Sequence, residues 1–432
     1  MNVEEVFTRT AAESDRMFWL DGGGARPWSG RRSVIGALAP DDVSLTFDAT
    51  RRVVLRHQGG RAEQIGDDVF AALEEHVAAD DGDPSVSWVG YLGYAARTDL
   101  PARPADPASG VPDAVWMRVR DPWVFEHPLP DGQPDALSER ADSTTSGGQD
   151  APTRAPEEVR IRQLGGYGEA FDRVQEELRR GNSSEVNLTY REELDSALDP
   201  VATYLRLRAL NPAPYSGYLQ HHGVHLLSSS PERYATIDRH RRLEARPIKG
   251  TTPRADDPVA DEAERARLAS DPKFRAENLM IVDLLRNDLG MVCEPGSVTV
   301  PELMEVESYR SVHQLVSTIR GRLRPEVGTV EALRALFPAG SMTGAPKLRT
   351  MEIIGAVEDT PRGVYSGAFG WISADGRADL AVVIRSLVAT RSGSRWRYEW
   401  GTGGGITVRS DVDEEYAETR WKAARLRQAL TQ

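Results

Sequence analysis

Of the 53 basic residues in this 432-residue chain, only Lys249, Lys273, Lys347 and Lys422 are lysine; the other 49 are arginine. Arginine supplies charge and hydrogen bonds but keeps its proton, whereas lysine can become a neutral nucleophile or base. A lysine retained in so arginine-rich a chain is a candidate for work arginine cannot do, weighed against chance retention on a solvated surface. Lys249 lies in EARPIKGTTPR, between a predicted strand and a turn of small residues. There its amine can reach a ligand while partly desolvated, its pKa lowered; the plainer reading is a solvated lysine at a turn. Seventeen positions earlier, Glu232 follows Pro231 in SSSPERY. If predicted strands 233–237 and 243–247 pair as a hairpin, Glu232 and Lys249 share its open end. A carboxyl there can exchange protons with the amine, or simply form a strand-end ion pair.

Two acidic helical stretches come next. Glu277 precedes Ile281, Leu284 and Leu285, so an acid shares the face of a buried stripe. DEEYAETRWKA sets Glu415, Glu418 and Lys422 on one helical face. Carboxylates converging from distant segments suit Mg²⁺, which takes one or two of them and keeps waters. Glu418 and Lys422 by themselves would be an ordinary exposed i,i+4 pair. PAGSMTGAPK (338–347) and GTGGGI (401–406) offer backbone N–H groups to an anion, and neither fits a dinucleotide or P-loop fingerprint. Between them, Tyr365 and Arg385 fall in predicted strands, where an arginine in an apolar run needs an anionic partner. HHGVH (His221, His222, His225) reads as a hairpin turn before a metal site. His313, in SVHQLVST, is either a satisfied core histidine or one that touches a ligand.

The elements that must hold these groups differ along the chain. Residues 1–128 read as a β-rich region of short strands with one helix over 67–79. Residues 129–158 are so poor in apolar side chains that a flexible linker or long surface loop is expected. Residues 159–432 form the expected catalytic domain, with an amphipathic helix stopping at Gly181 and further helices at 258–269, 273–289, 329–336 and 412–430. Hairpin runs with helices between them predict an α+β fold rather than a doubly wound α/β one. A net charge of −13 argues against nucleic acid or an anionic membrane as partner. No run approaches the roughly 18 apolar residues of a membrane span, and the acidic N-terminus lacks signal-peptide order. The single Cys293 excludes a disulfide framework and suits a reducing cytoplasm.

Taken together, ARPIKGTTPR, RAENLMIVDLLRNDLG, VHQLVSTIRG, GSMTGAPK, RGVYSGAFGW, VVIRS, GTGGGI and EYAETRWKA resemble, in order, the motifs of the chorismate-utilising enzymes. The resemblance is strong over 159–432 and loose over FWLD and WVGYLGY. Within the family, the lysine of PIKGT resembles the aminodeoxychorismate synthase component I branch; anthranilate synthases carry alanine there. The resemblance implies an α+β sandwich of large antiparallel sheets with helices packed outside. It also implies amination of the dianion chorismate to 4-amino-4-deoxychorismate, towards 4-aminobenzoate and folate, with ammonia from a separate glutaminase subunit.

By the family's pattern, Glu277 and Glu418, with Glu415 acting through water, hold Mg²⁺ on the ring carboxylate. Tyr365, Arg385, the amides of Gly403, Gly404 and Gly405, and Lys422 receive the enolpyruvyl side. His313, Ser341 and Thr343 border the ring. Lys249, neutral, attacks ring C2 and expels the C4 hydroxyl, with Glu232 as general acid/base. Mg²⁺ and local cations then explain how an acidic protein accepts a dianion. The chain departs from the pattern in three places: Glu232 and Lys249 are one residue further apart than expected, Thr402 replaces an alanine, and no LLES-type signature of tryptophan feedback is present. Cys293, in VCEPGS, is not in a nucleophile elbow, which is why the glutaminase is expected elsewhere. The alternative is an anthranilate- or 2-amino-2-deoxyisochorismate-type synthase aminating at C2 without a lysine nucleophile. Isochorismate or salicylate formation and a non-catalytic aromatic binder rank lower.

Overall fold

Strands buried on both faces require a layer on each side, and this chain has many. Val224–Ser230 is buried at every position, and Val312–Arg322 at nearly every one. In the computed structural model, which describes residues 2–22, 32–127, 161–309 and 312–431, these strands belong to two large antiparallel sheets. The expected 129–158 linker lies outside the described residues.

The ten-stranded sheet runs in the order Gly344–Ala345, Glu185–Ser196, Arg395–Ile406, Ser386–Ser392, Val224–Ser230, Tyr215–His221, Arg16–Asp21, Arg32–Ala37 and Trp123–Glu126, with Arg162–Leu164 beside Glu185–Ser196. The twelve-stranded sheet runs Ile248–Pro253, Val312–Arg322, Arg242–Arg246, Arg233–Ile237, Ala378–Val382, Ala368–Ser373, Val86–Leu92, Ala114–Arg120, Ser44–Asp48, Val53–Gln58 and Arg61–Gly66, with Thr299–Ser308 beside Val312–Arg322. In each sheet the strands from 16–126 form one end and those from 162–406 the other, joined where Arg16–Asp21 pairs with Tyr215–His221 and where Val86–Leu92 pairs with Ala368–Ser373.

Between the sheets, Phe18, Leu219 and Leu226 meet Val89, Tyr91, Met117 and Phe369. Helices cover the outer faces. Val69–Ala78, Pro272–Gly290 and Thr329–Leu336 pack on the twelve-stranded sheet. Val3–Glu13, Pro200–Leu210 and Val412–Thr431 pack on the other, and Tyr167–Arg179 with Lys347–Val357 covers its far end. The fold is the expected α+β sandwich. Helix starts follow local chemistry. Asp68 accepts hydrogen bonds from the N–H groups of Phe70 (2.9 Å) and Ala71 (3.0 Å), and Asp257 and Asp271 cap helices whose first residue is proline.

Two expected strands are corrected. The strand predicted to hold Arg385 is not continuous: Ala378–Val382 lies in one sheet and Ser386–Ser392 in the other. Arg385 sits in the crossing between them at φ +50°, so it is not a strand residue. The strand predicted to hold Tyr365 begins only at Ala368, which leaves Tyr365 in a turn. Helices Val3–Glu13, Pro200–Leu210 and Lys347–Val357 were not expected from spacing. HHG does form a two-residue hairpin turn, with His222 and Gly223 at φ +46° and +82°.

Candidate active site

The predicted hairpin forms, with Arg233 opposite Arg246 and Thr236 opposite Glu244. Glu232 and Lys249 line one cavity of about 130 Å³ at its end. Lys249 is aimed by an irregularity in its own strand. Ile248 faces Val316 and Thr251 faces Gln314, so one extra residue is accommodated at Lys249–Gly250. Gly250 adopts φ +93°, and a β-carbon there would press on Leu268 and Phe274; a bulge of this shape favours glycine.

Lys249 is buried, and its Nζ donates a hydrogen bond to Oε1 of Glu185, the first residue of Glu185–Ser196. Burial pulls the amine pKa down, but Glu185 and Glu277 outweigh it, and the net direction is up. This corrects the expectation of a lowered amine: the carboxylates facing Lys249 favour its ammonium form. Considering burial alone misses the two carboxylates that face it.

Glu232 is also buried, and Ser341 donates a 2.6 Å hydrogen bond to its Oε1. Burial pushes this carboxyl up to about 7, although Ser341, Lys249, Arg385 and Lys422 pull the other way. A carboxyl poised near neutrality can both give and take a proton. Its hydroxyl partner is held from behind. Asn187 Nδ2 donates to the Ser341 carbonyl (3.0 Å), and buried Arg362 donates to the carbonyls of Met342 (2.6 Å) and Asn187 (2.7 Å).

Three of the four lysines line this cavity. Lys273 contacts Glu415 (3.0 Å), and Lys422 contacts Glu418 (2.7 Å) and the Gly403 carbonyl (3.0 Å). The fourth, Lys347, forms a buried pair with Asp288 (2.7 Å) behind the site. Arg385 lines the cavity too, and among the described residues its guanidinium has no hydrogen-bond or ion-pair partner. Burial lowers its pKa, with Glu232 opposing. A cation left without a partner in a polar cavity is a receptor for an anion. Gly401, Thr402, Gly403 and Gly405 form another wall. Arg395–Ile406 pairs with Ser386–Ser392 only as far as Glu399, so beyond that point one strand edge is left for a ligand.

Glu277 reaches the cavity from Pro272–Gly290, and burial pushes its carboxyl up to about 7 with Lys249 opposing. Its Oε1 is buried without a hydrogen-bond partner. That orphaned oxygen and the nearby Glu415 and Glu418 are donors of the kind Mg²⁺ takes. Among the described residues no three His, Cys, Asp or Glu side chains converge on one point, and Lys273 and Lys422 hold Glu415 and Glu418 in ion pairs.

Of the expected ligand-contacting residues, Ser341, Tyr365, Arg385, Gly403, Gly405 and Lys422 line the cavity. His313 does not: its ring bonds Ser308 (2.8 Å) and Asp261 (3.0 Å) on the opposite side of its strand, and its neighbour Gln314 lines the cavity instead. Alternation along a strand puts one of the two inside and the other out. Thr343 is buried with its hydroxyl on the Gly340 carbonyl (3.2 Å) and does not line the cavity. Gly404 lies just outside it, towards Glu415 and Lys422. Glu185, Asn187 and Gln314 are cavity residues or contacts that sequence reasoning missed, and Lys273, singled out only by the scarcity of lysine, joins them. The one local signal for Glu185 is that an acidic residue opens an otherwise buried strand.

Within a two-sheet antiparallel sandwich, a buried amine, a carboxyl near neutrality and a partnerless arginine define an enzyme-like cavity for a small anion. The pattern of the chorismate binding enzymes matches residues 32–428, and the chain belongs to that family. It is 39% identical over 465 residues to an aminodeoxychorismate synthase of Streptomyces pristinaespiralis, covering 100% of this chain and 64% of that protein. It is 44% identical over 260 residues to aminodeoxychorismate synthase component 1 of Salmonella typhimurium, covering 60% of this chain and 56% of the relative. The chain thus spans less than two thirds of the length of these relatives. The crystal structure of anthranilate synthase component I from Streptococcus pneumoniae TIGR4 superposes with a TM-score of 0.72 at 26% identity, covering 93% of each chain.

Proposed function

We propose that this protein aminates chorismate to 4-amino-4-deoxychorismate through a covalent bond to Lys249. The observation that carries this reading is a buried lysine amine in the same cavity as a carboxyl whose pKa is near 7. The neutral amine forms a bond to ring C2, the two ring double bonds shift, and the C4–O bond breaks. The departing oxygen takes the proton of Glu232 and leaves as water. Ammonia then bonds to C4, the double bonds shift back, and the C2–N bond breaks to release the lysine. Glu232, now a carboxylate, regains a proton from the incoming ammonium. Arg385 and Lys422 take the enolpyruvyl carboxylate, and Gly403 and Gly405 leave room for it.

Glu277, with Glu418 and Glu415 released from their lysines, would hold Mg²⁺, which when bound neutralises the ring carboxylate. Ammonia comes from a separate glutaminase subunit, in keeping with the component 1 name of the Salmonella relative. The fold shared with an anthranilate synthase component favours one second reading, amination at C2. Incubation with chorismate, Mg²⁺ and ammonium salt decides: a 4-amino product supports the reading, and a 2-amino product or none overturns it.

A further inference from the structure

Glu185 takes no part in the chemistry above, yet it is the group that touches Lys249. It is fully buried, and its Oε1 receives the Lys249 ammonium while Oε2 has no hydrogen-bond partner. Its hydrogen bonding is one-sided: one carboxylate oxygen faces the amine and the other meets no donor. Its backbone is anchored: Glu185 pairs with Ala345, and Ser183 Oγ donates to its carbonyl (2.8 Å). On the remaining side is Gly405, where a β-carbon would collide with Glu185 Oε1 and lie 3.0 Å from Lys249 Nζ.

We propose that Glu185 is the proton partner of Lys249, storing the amine's proton while that nitrogen is bonded to the ring. The proposal rests on the reading of Lys249 as nucleophile. In the free enzyme the pair is ammonium and carboxylate. When chorismate binds, the proton passes from Nζ to the carboxylate, giving amine and carboxylic acid, and the nitrogen lone pair bonds to C2. When ammonia displaces the lysine, Nζ leaves as a neutral amine and takes the proton back. Nothing is gained from or lost to solvent, so this exchange adds no pH dependence of its own. The other charged groups facing Nζ are Glu232, at the start of Arg233–Ile237, and Glu277, from Pro272–Gly290. Lys273, Arg385, Glu415, Glu418 and Lys422 line the rest of the cavity.

The test is kcat/KM for chorismate from pH 6.5 to 8.5 in wild type, Glu185→Gln, Glu185→Asp and Lys249→Ala, with ammonium salt as nitrogen source. In the Gln variant the amine must lose its proton to solvent, with Glu232 and Glu277 still favouring the charged form. Its rate relative to wild type should be at least tenfold lower at pH 6.5, and the deficit should shrink with rising pH. The Asp variant should restore a ratio that does not change with pH. Superimposed Gln and wild-type profiles would overturn the proposal. So would a loss equal at every pH and not rescued by Asp, which marks a packing role. Persistent 4-amino product from Lys249→Ala is a separate outcome, overturning the covalent reading beneath the proposal.

Discussion

The hydroxyl of Ser341 donates a 2.6 Å hydrogen bond to Oε1 of Glu232, joining the Gly340–Met342 turn to the end of the lysine hairpin. This bond favours the ionised carboxyl, against the burial that favours the neutral one. Ser341→Ala should therefore move the Glu232 titration above 7. In a pH–rate profile of kcat, the limb set by Glu232 should shift to higher pH; an unmoved limb would show that another group controls it.

Lys249→Ala should reduce formation of the 4-amino product to background. Lys249→Arg should be equally inactive, because a guanidinium keeps its charge at any working pH and cannot attack carbon. Product quantification by mass spectrometry reads both, and appreciable turnover by the arginine variant would remove the nucleophilic role.

Stability should fall as pH rises through the neutral range in the absence of ligand. Glu232 and Glu277 are pushed up to about 7 from an ordinary 4.5, so the folded state binds more protons than the unfolded one between those values. The stabilisation is complete below pH 4.5 and lost as pH passes 7. Each group contributes at most on the order of 3 kcal/mol. Urea denaturation at pH 5 and pH 8 should show a smaller drop for Glu232→Gln than for wild type; equal drops would place the titration elsewhere.

Mg²⁺ without substrate should raise the melting temperature, and Glu277→Gln should abolish the rise. Thermal unfolding with and without the ion, and with EDTA, reads this independently of turnover. A shift that survives in the variant would move the metal away from Glu277.

Lys347→Met should destabilise the fold by about 3 kcal/mol, because it strands the buried Asp288 carboxylate without its cation. Lys347→Met with Asp288→Leu should recover much of the loss. A double variant no better than the single would mean that the pair does not act as a unit.

The framework of the site could be read from the sequence where local chemistry reports on it. Helices Pro272–Gly290 and Val412–Thr431 announce themselves by apolar spacing, the first also, like Pro258–Ser270, by an Asp-Pro start, and they carry Glu277, Glu415, Glu418 and Lys422. The scarcity of lysine pointed at the cavity, since three of the four line it. What could not be read arises between segments. Glu185 belongs to one sheet and Lys249 to the other, and no periodicity within either strand reports that they meet. His313 and Gln314 differ only in which way a strand faces, a one-residue distinction that register decides. Arg385 looks like part of an unbroken apolar strand because its neighbours suit either sheet.

Arg385 is where the backbone leaves the twelve-stranded sheet for the ten-stranded one, in the left-handed conformation that non-glycine residues seldom adopt. The guanidinium that awaits an anion is thus attached to the seam of the molecule. An anion seated there would act as a clasp across both halves of the sandwich, so occupancy should slow amide hydrogen exchange at residues 383–386 and in the flanking strands.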